Sequence, residues 1–362
     1  MRKVKIAAAV LFSACAATSM LVARADAQGP GAPAWSFAVS GDSRNCGDVV
    51  MPAIAAGVLK QHARFYWHLG DLRKTYDFDE DMEHQPEHVK RPMTIVQYEN
   101  QAWPDFIENQ IGPFGTLPVY VGIGNHETYW PKTREMFLLQ FADWLNSPVL
   151  RQQRLADNPR DHMLRAYYHW VQGPADFIYL DNATADQFDL RQLGWLFGVL
   201  ARDRANPNIT SIVVGMHEAL PDSISADHSM NESPVGIDSG REVYRQLLGL
   251  QSATGKHVYL LASHSHFYMD GIFNTEWWRA NGGVLPGWIV GTAGATRYTL
   301  PPNWKDAKQA ETNVYGYLLG TVRPDGSVTF DFQRIAETDV PAPVVTRYTS
   351  EFVHWCFAEN RE

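Results

Sequence analysis

Short apolar runs that stop abruptly at Gly-Asp, Gly-Asn or His mark this chain from end to end. Trp35 to Ser40 reads as a buried strand ending at Gly41-Asp42, and Arg64 to Leu69 as a second ending at Gly70-Asp71. Leu117 to Ile123 is a third, ending at Gly124-Asn125-His126-Glu127. Ser211 to Gly215 stops just before His217, and His257 to Ala262 stops before His264-Ser265-His266. Stretches of helical period lie between them: Met51 to Gln61, Trp103 to Gln110, Lys132 to Leu145, Asp189 to Arg204 and Arg241 to Leu250. In the segment from Asp189, residues Leu190, Leu193, Leu196, Phe197 and Leu200 share one face. Ala166 to Val171 and Asp176 to Leu180 read as a strand pair. Thr75 to Asn100 is charged without a clean period and reads as a long loop. Trp288 to Phe332 is mostly strand, with a hairpin turn centred on Asp325-Gly326.

Strands therefore alternate with helices and give way to a strand-rich tail. No internal repeat and no convincing linker interrupts them. The pattern predicts an α/β fold: one domain over residues 28–362, a four-layer α/β/β/α sandwich of two mixed sheets with helices on the outer faces.

Composition narrows the function class. The chain has 362 residues, 45% apolar and 20% charged, with a formal charge of −9. That is the make-up of a soluble globular protein, not of a disordered chain, a fibre or a multi-span membrane protein. A net acidic chain also argues against nucleic-acid binding, because phosphate polyanions are met by basic faces. Residues 1–27 stand apart. Arg2, Lys3 and Lys5 precede an uncharged run from Ile6 to Val22, and Ala25-Asp26-Ala27 offers a small-x-small cleavage site. This is the layout of a secretory signal peptide, and it predicts a periplasmic or secreted protein starting near Gln28. A stable membrane anchor is not expected, since the apolar run is at the short end of the roughly 20 residues needed to span a bilayer. A lipoprotein attached at Cys15 would place a branched aliphatic where Phe12 stands. Beyond residue 27 two cysteines remain, Cys46 and Cys356. They either form one bridge between the start and the end of the fold or stay as two thiols.

The chemistry sits at the strand ends. Asp42, Asp71, Asn125 with His126, His217, and His264 with His266 each follow a strand. In open α/β sheets, ligands bind beyond the carboxyl ends of the strands, so residues far apart in sequence can converge there. Glycines at positions 41, 70, 124 and 215 permit sharp exits and close approach. The set offers carboxylates, an amide oxygen and imidazoles but no thiolate, a donor set suited to zinc, manganese or iron. It is too large for one ion; two ions sharing a carboxylate would use it all, as in sites that displace at phosphorus.

Gly41-Asp42, Gly70-Asp71, Gly124-Asn125-His126-Glu127, Met216-His217 and Ser263-His264-Ser265-His266 resemble the five ordered blocks of the calcineurin-like metallophosphoesterases, with the purple acid phosphatases as the nearest branch. Gln192 followed by Trp195-Leu196 fits as well, and the resemblance runs from about Trp35 to Phe332. It implies a hydrolase acting on phosphate mono- or diesters at a dinuclear centre of iron, zinc or manganese, with a metal-bound hydroxide as nucleophile. By the same resemblance, Asp71 bridges the two ions. Asp42 and His266 hold the first; Asn125, His217 and His264 hold the second. His126 lies over the phosphate, stabilising charge or protonating the leaving alkoxide, with Glu127 orienting it. The implied partner is a phosphorylated small molecule or a phosphodiester.

Two positions depart from the pattern. Arg44 stands where many members have His, and Lys74 where purple acid phosphatases have Tyr, so the first ion lacks an expected ligand. Tyr76 could serve only if the loop bulges. Arg44, carried as a catalytic candidate, and Lys74 either bind substrate oxyanions or lie in solvent. The acidic stretch from Asp77 to His88 reads as a solvated loop, or as a lid or extra cation site. Trp277, Trp278 and Trp288 either pack or stack on substrate. A catalytically weak metal- or phosphate-binding protein on this scaffold is the alternative function. Retention of His126 and the second-ion ligands speaks against it, because binding alone would not need them.

Overall fold

The computed structural model describes residues 33–183 and 187–362, so the predicted signal peptide lies outside the described residues. Two mixed sheets face one another. The first has five strands in the order β12-β11-β1-β2-β3. They are β1 (Trp35–Ser40), β2 (Tyr66–His68), β3 (Val119–Val121), β11 (Tyr315–Val322) and β12 (Val328–Ile335). β1, β2 and β3 run parallel, and β11 and β12 add antiparallel. The second has seven strands in the order β10-β8-β9-β7-β6-β5-β4. They are β4 (Tyr168–Gln172), β5 (Ala175–Leu180), β6 (Ser211–Met216), β7 (His257–Ala262), β8 (Tyr268–Asp270), β9 (Gly287–Val290) and β10 (Gln309–Glu311). β5, β6, β7 and β9 are parallel; β4, β8 and β10 are antiparallel to their neighbours.

Alternation along each strand builds the layers. Trp35, Phe37 and Val39 of β1 and Trp67 of β2 meet Phe177, Tyr179, Val213, Tyr259 and Leu261 in the core between the sheets. The intervening residues Ala38 and Tyr66 point outward, against Val49, Ile54 and Val58 of helix Gly47–Lys60. Ile178, Leu180, Val214 and Leu260 point outward from the second sheet. They meet Leu196 and Val199 of helix Leu190–Ala205, and Val243 and Leu247 of helix Pro234–Thr254. The four predicted layers follow. Fully burying one such apolar side chain contributes about 1.5–3 kcal/mol.

The 75–100 segment differs from expectation. It holds helices Glu80–Glu83 and Pro86–Lys90 and the start of helix Ile95–Asp105, which continues as a π-turn over Phe106–Ile111. Two physical causes hid them. Thr94 and Gln97 form a capping box that starts the third helix without any apolar period before it. Two charges of the run face inward: Asp79 and Asp81, with Asp48 and Asp105 from outside it, surround the fully buried guanidinium of Arg73. The acidic stretch is therefore partly a buried cluster and not a solvated loop.

Cys46 and Cys356 form a disulfide, which ties the start of helix Gly47–Lys60 to helix Ser350–Ala358. The tryptophans pack. Trp278 is buried on Tyr244, Trp288 lies in the inter-sheet core beside Phe330, and Trp277 covers the Arg241 guanidinium.

Candidate metal centre

All six predicted ligands gather where the parallel strands of both sheets end. Asp42 follows β1, Asp71 follows β2 and Asn125 begins a short turn after β3, while His217 follows β6 and His264 and His266 follow β7. Asp42, Asp71 and His264 all have left-handed backbone, with φ of 62°, 57° and 64°. Such conformations cost a non-glycine residue on the order of 1–3 kcal/mol and persist where function requires them. Gly124 makes the approach possible: a Cβ there would fall 2.2 Å from Asp71 Oδ1. The two sheets are bonded at this edge, where His264 N donates to Asp42 Oδ2 at 2.7 Å.

The second-ion group is a set of acceptors aimed at one another. His217 Nδ1 donates to the Leu69 carbonyl at 3.1 Å, which turns Nε2 inward. Asn125 Nδ2 donates to Tyr129 Oη, which turns Oδ1 inward. Asn125 Oδ1 and His264 Nδ1 each lie 3.0 Å from His217 Nε2, and Asp71 Oδ1 lies at 3.3 Å. Metal–nitrogen bonds near 2.1 Å give ligand–ligand edges of about 3.0–3.4 Å in octahedral or tetrahedral sites. That spacing is met by a proton on His217 Nε2 or by a metal ion held between the same groups. Burial works against charge on His217, yet Asp71 and then Asp42 raise its pKa to about 10, so without an ion Nε2 carries a proton that a metal ion would displace. Asp42, Asp71, His217 and His264 place donor atoms within 4.8 Å of one another, so these residues fit a divalent ion. The Nδ1–H bond from His217 to a carbonyl is the outer support that metal-bound imidazoles use.

The first-ion group is organised differently. His266 Nδ1 donates to the Thr296 carbonyl at 2.6 Å, leaving Nε2 3.2 Å from Asp42 Oδ1. Asp42 Oδ1 and Asp71 Oδ2 are buried and accept no hydrogen bond among the described residues. Arg44 enters this space. Its Nη2 lies 2.8 Å from His266 Nε2, Nη1 bonds His126 Nε2, and Nε stands 3.6 Å from Asp71 Oδ2. Burial opposes its charge, but Asp71 and Asp42 more than offset that and keep the guanidinium charged. Lys74 instead turns outward to pair with Asp77 at 2.9 Å. Tyr76 is half exposed, with its ring 5.0 Å from that of His126.

Glu127, expected to orient the His126 ring, braces the backbone. Its carboxylate accepts from the N–H groups of Asp71, Leu72 and Gly124 at 2.9, 3.0 and 2.8 Å. Burial, with Asp71 nearby, pushes its pKa up to about 8. Gln192 also serves backbone, bonding both the N–H and the carbonyl of Asp181 at 2.7 Å. Sequence reasoning missed His228 and Glu232, which form a second cluster of metal-type donors with His264. The His228 ring stacks on Tyr298 and lies 5.5 Å from His264. No strand end or spacing signalled them. Arg73 was missed for a different reason: a charge within a charged run gives no sign of burial.

No family model matches the sequence, and no curated protein matches it. Solved structures do. A purple acid phosphatase from yellow lupin (Lupinus luteus) superposes with a TM-score of 0.53 at 15% identity, over 85% of this chain and 53% of its own. This chain thus spans about half the length of the lupin protein. A dimetal phosphatase from Danio rerio gives a TM-score of 0.51 at 12% identity, over 84% of this chain and 96% of its own. GAP50, described as the anchor in the inner membrane complex of Plasmodium, gives 0.52 at 11% identity, over 84% of this chain and 85% of its own. Five strand ends meeting at one edge of two facing sheets, and these superpositions, give the chain the α/β sandwich fold of the calcineurin-like metallophosphoesterases.

Proposed function

We propose that this protein is a metal-dependent phosphoesterase that hydrolyses phosphate mono- or diesters. The observation that carries the reading is the convergence of Asp71, Asn125, His217 and His264 acceptor atoms at 3.0–3.3 Å around His217 Nε2. Iron, zinc or manganese suits that donor set. The resemblance implies two ions, and this position is the one with a complete set. A bound divalent ion supplies Lewis acidity toward a phosphoryl oxygen and makes coordinated water more acidic.

The chain's own residues do the rest. Arg44 offers a fixed charge and N–H donors to phosphoryl oxygens. As substrate draws those donors, His126 Nε2 is released from Arg44. It takes a proton from solvent and gives it to the leaving alkoxide. Asp42 and Asp71 balance the positive charge, and Glu127 fixes the loop that carries Asp71. The Cys46–Cys356 bridge and the pattern of residues 1–27 support a periplasmic or secreted location. No helix among the described residues is long and apolar enough to cross a membrane.

One observation favours the second reading, a weakly catalytic metal- or phosphate-binding protein: Arg44 stands among the first-ion ligands. The experiment is a panel of phosphomonoesters and phosphodiesters given to metal-free protein reloaded with zinc, manganese or iron singly. Hydrolysis that depends on the added ion is expected. Metal-loaded protein that hydrolyses none of them would leave the binding reading.

A further inference from the structure

The first-ion position faces a cation that the chain itself supplies. Two acceptors that would serve an ion there, His266 Nε2 at 2.8 Å and Asp71 Oδ2 at 3.6 Å, face one guanidinium, which also bonds His126 Nε2 beside them. Both imidazoles meet Arg44 as lone pairs, because their Nδ1 protons go to the carbonyls of Thr296 and Lys74. Arg44 is 9% exposed, and its backbone is pinned: Ser43 N bonds Asp71 O, and Cys46 N bonds Arg44 O. Charge counting points the same way. Asp42 and Asp71 against Arg44 and one divalent ion leave a single surplus positive charge. A second divalent ion would leave three, in a buried site where like charges repel strongly.

Resting on the metallohydrolase reading above, we propose that the Arg44 guanidinium is the second cation of this centre. It stands at the first-ion position, and each chain holds one divalent ion, at Asp71, Asn125, His217 and His264. A guanidinium offers positive charge and N–H donors but no Lewis acidity and no exchangeable ligand position. The centre therefore keeps half of its positive charge sources under any chelator and loses the other in one step.

The test adds Mn²⁺ to the metal-free full chain and measures bound manganese per chain, with electron paramagnetic resonance alongside. One manganese per chain is expected, with the sextet of an isolated ion. His217→Ala should lose it, and His266→Ala should keep it. Arg44→His, folded by circular dichroism, should take two ions and give an exchange-coupled spectrum. Two ions in the unaltered protein would overturn the proposal and leave the metallohydrolase reading standing. A single ion that survives His217→Ala but not His266→Ala, or a folded Arg44→His protein that stays at one ion, would also overturn it. No bound manganese, zinc or iron at all would remove the metallohydrolase reading itself, and the proposal with it.

Discussion

His126 donates from Nδ1 to the backbone carbonyl of Lys74 at 2.8 Å, and that bond decides which nitrogen faces the site. Burial, followed by the charge of Arg44, lowers its pKa to about 3, so the ring is neutral with its lone pair on Nε2. Replacing His126 with Ala should leave metal content intact and reduce kcat roughly 10²–10⁴-fold, the usual size of a lost general acid or base. Esters with good leaving groups should lose less. Steady-state kinetics across a leaving-group series checks this; an equal loss throughout would assign His126 to charge stabilisation alone.

Arg73 is the hub of a buried cluster that also holds the loop behind His126. Asp79, within 3.7 Å of Arg73, accepts from Lys74 N and from Tyr98 Oη, and Thr75 Oγ1 donates to the His126 carbonyl. Arg73→Met removes the buried cation that pairs with four carboxylates. Breaking a buried pair costs about 3–5 kcal/mol. The urea midpoint should fall accordingly. An unchanged midpoint would mean that Asp81 and Asp105, both pushed toward the protonated form chiefly by burial, neutralise the cluster without help.

A second buried charge, remote from the metal centre, sets a pH dependence. His169 sits between Asp157 at 2.5 Å and Asp176 at 2.8 Å. Burial opposes its charge, but Asp176 and Asp157 raise its pKa from 6.5 to about 10. A group more basic in the fold than in the unfolded chain stabilises fully below its unfolded pKa. That contribution is lost as pH climbs through the folded value. The thermal midpoint should therefore drop between about pH 6.5 and pH 10, and His169→Gln should flatten the slope. Identical slopes for the two proteins would rule out this clasp as the cause.

The disulfide predicts a stability difference without a chemical one. Cys46 and Cys356 are 310 residues apart in sequence, so the bridge restrains nearly the whole unfolded chain. A Cys46→Ser/Cys356→Ser protein should lose about 2–4 kcal/mol. Its manganese stoichiometry should not change, since neither sulfur is a ligand. Denaturant unfolding and metal analysis check both halves.

The strand ends were readable because their signal is local. An apolar run, a Gly and a metal-type donor follow one another within a few residues at Asp42, Asp71 and Asn125, and each run is a strand in the fold. What stayed hidden depends on where a side chain turns. The sequence left Arg44 open between substrate and solvent, and packing turned it onto His266 and His126. Lys74, the other cation of the same reading, turned outward. Glu127 is adjacent to His126 in sequence, yet its carboxylate reaches back to the Asp71 loop. Burial of charge at Arg73 is likewise an outcome of packing, built by carboxylates from three separate segments.

β1 is a central strand of the first sheet, between β2 and β11. One neighbour follows it within about thirty residues, but the other, Tyr315–Val322, is among the last strands made. While the ribosome works, one edge of β1 stays unpaired, presenting Phe37 and Val39 beside open N–H and C=O groups. An edge of that kind invites pairing with another nascent chain. The sheet cannot close until the polypeptide is almost finished, so folding after release, with the edge shielded by a chaperone or kept threaded until then, suits this topology better than folding strand by strand during synthesis.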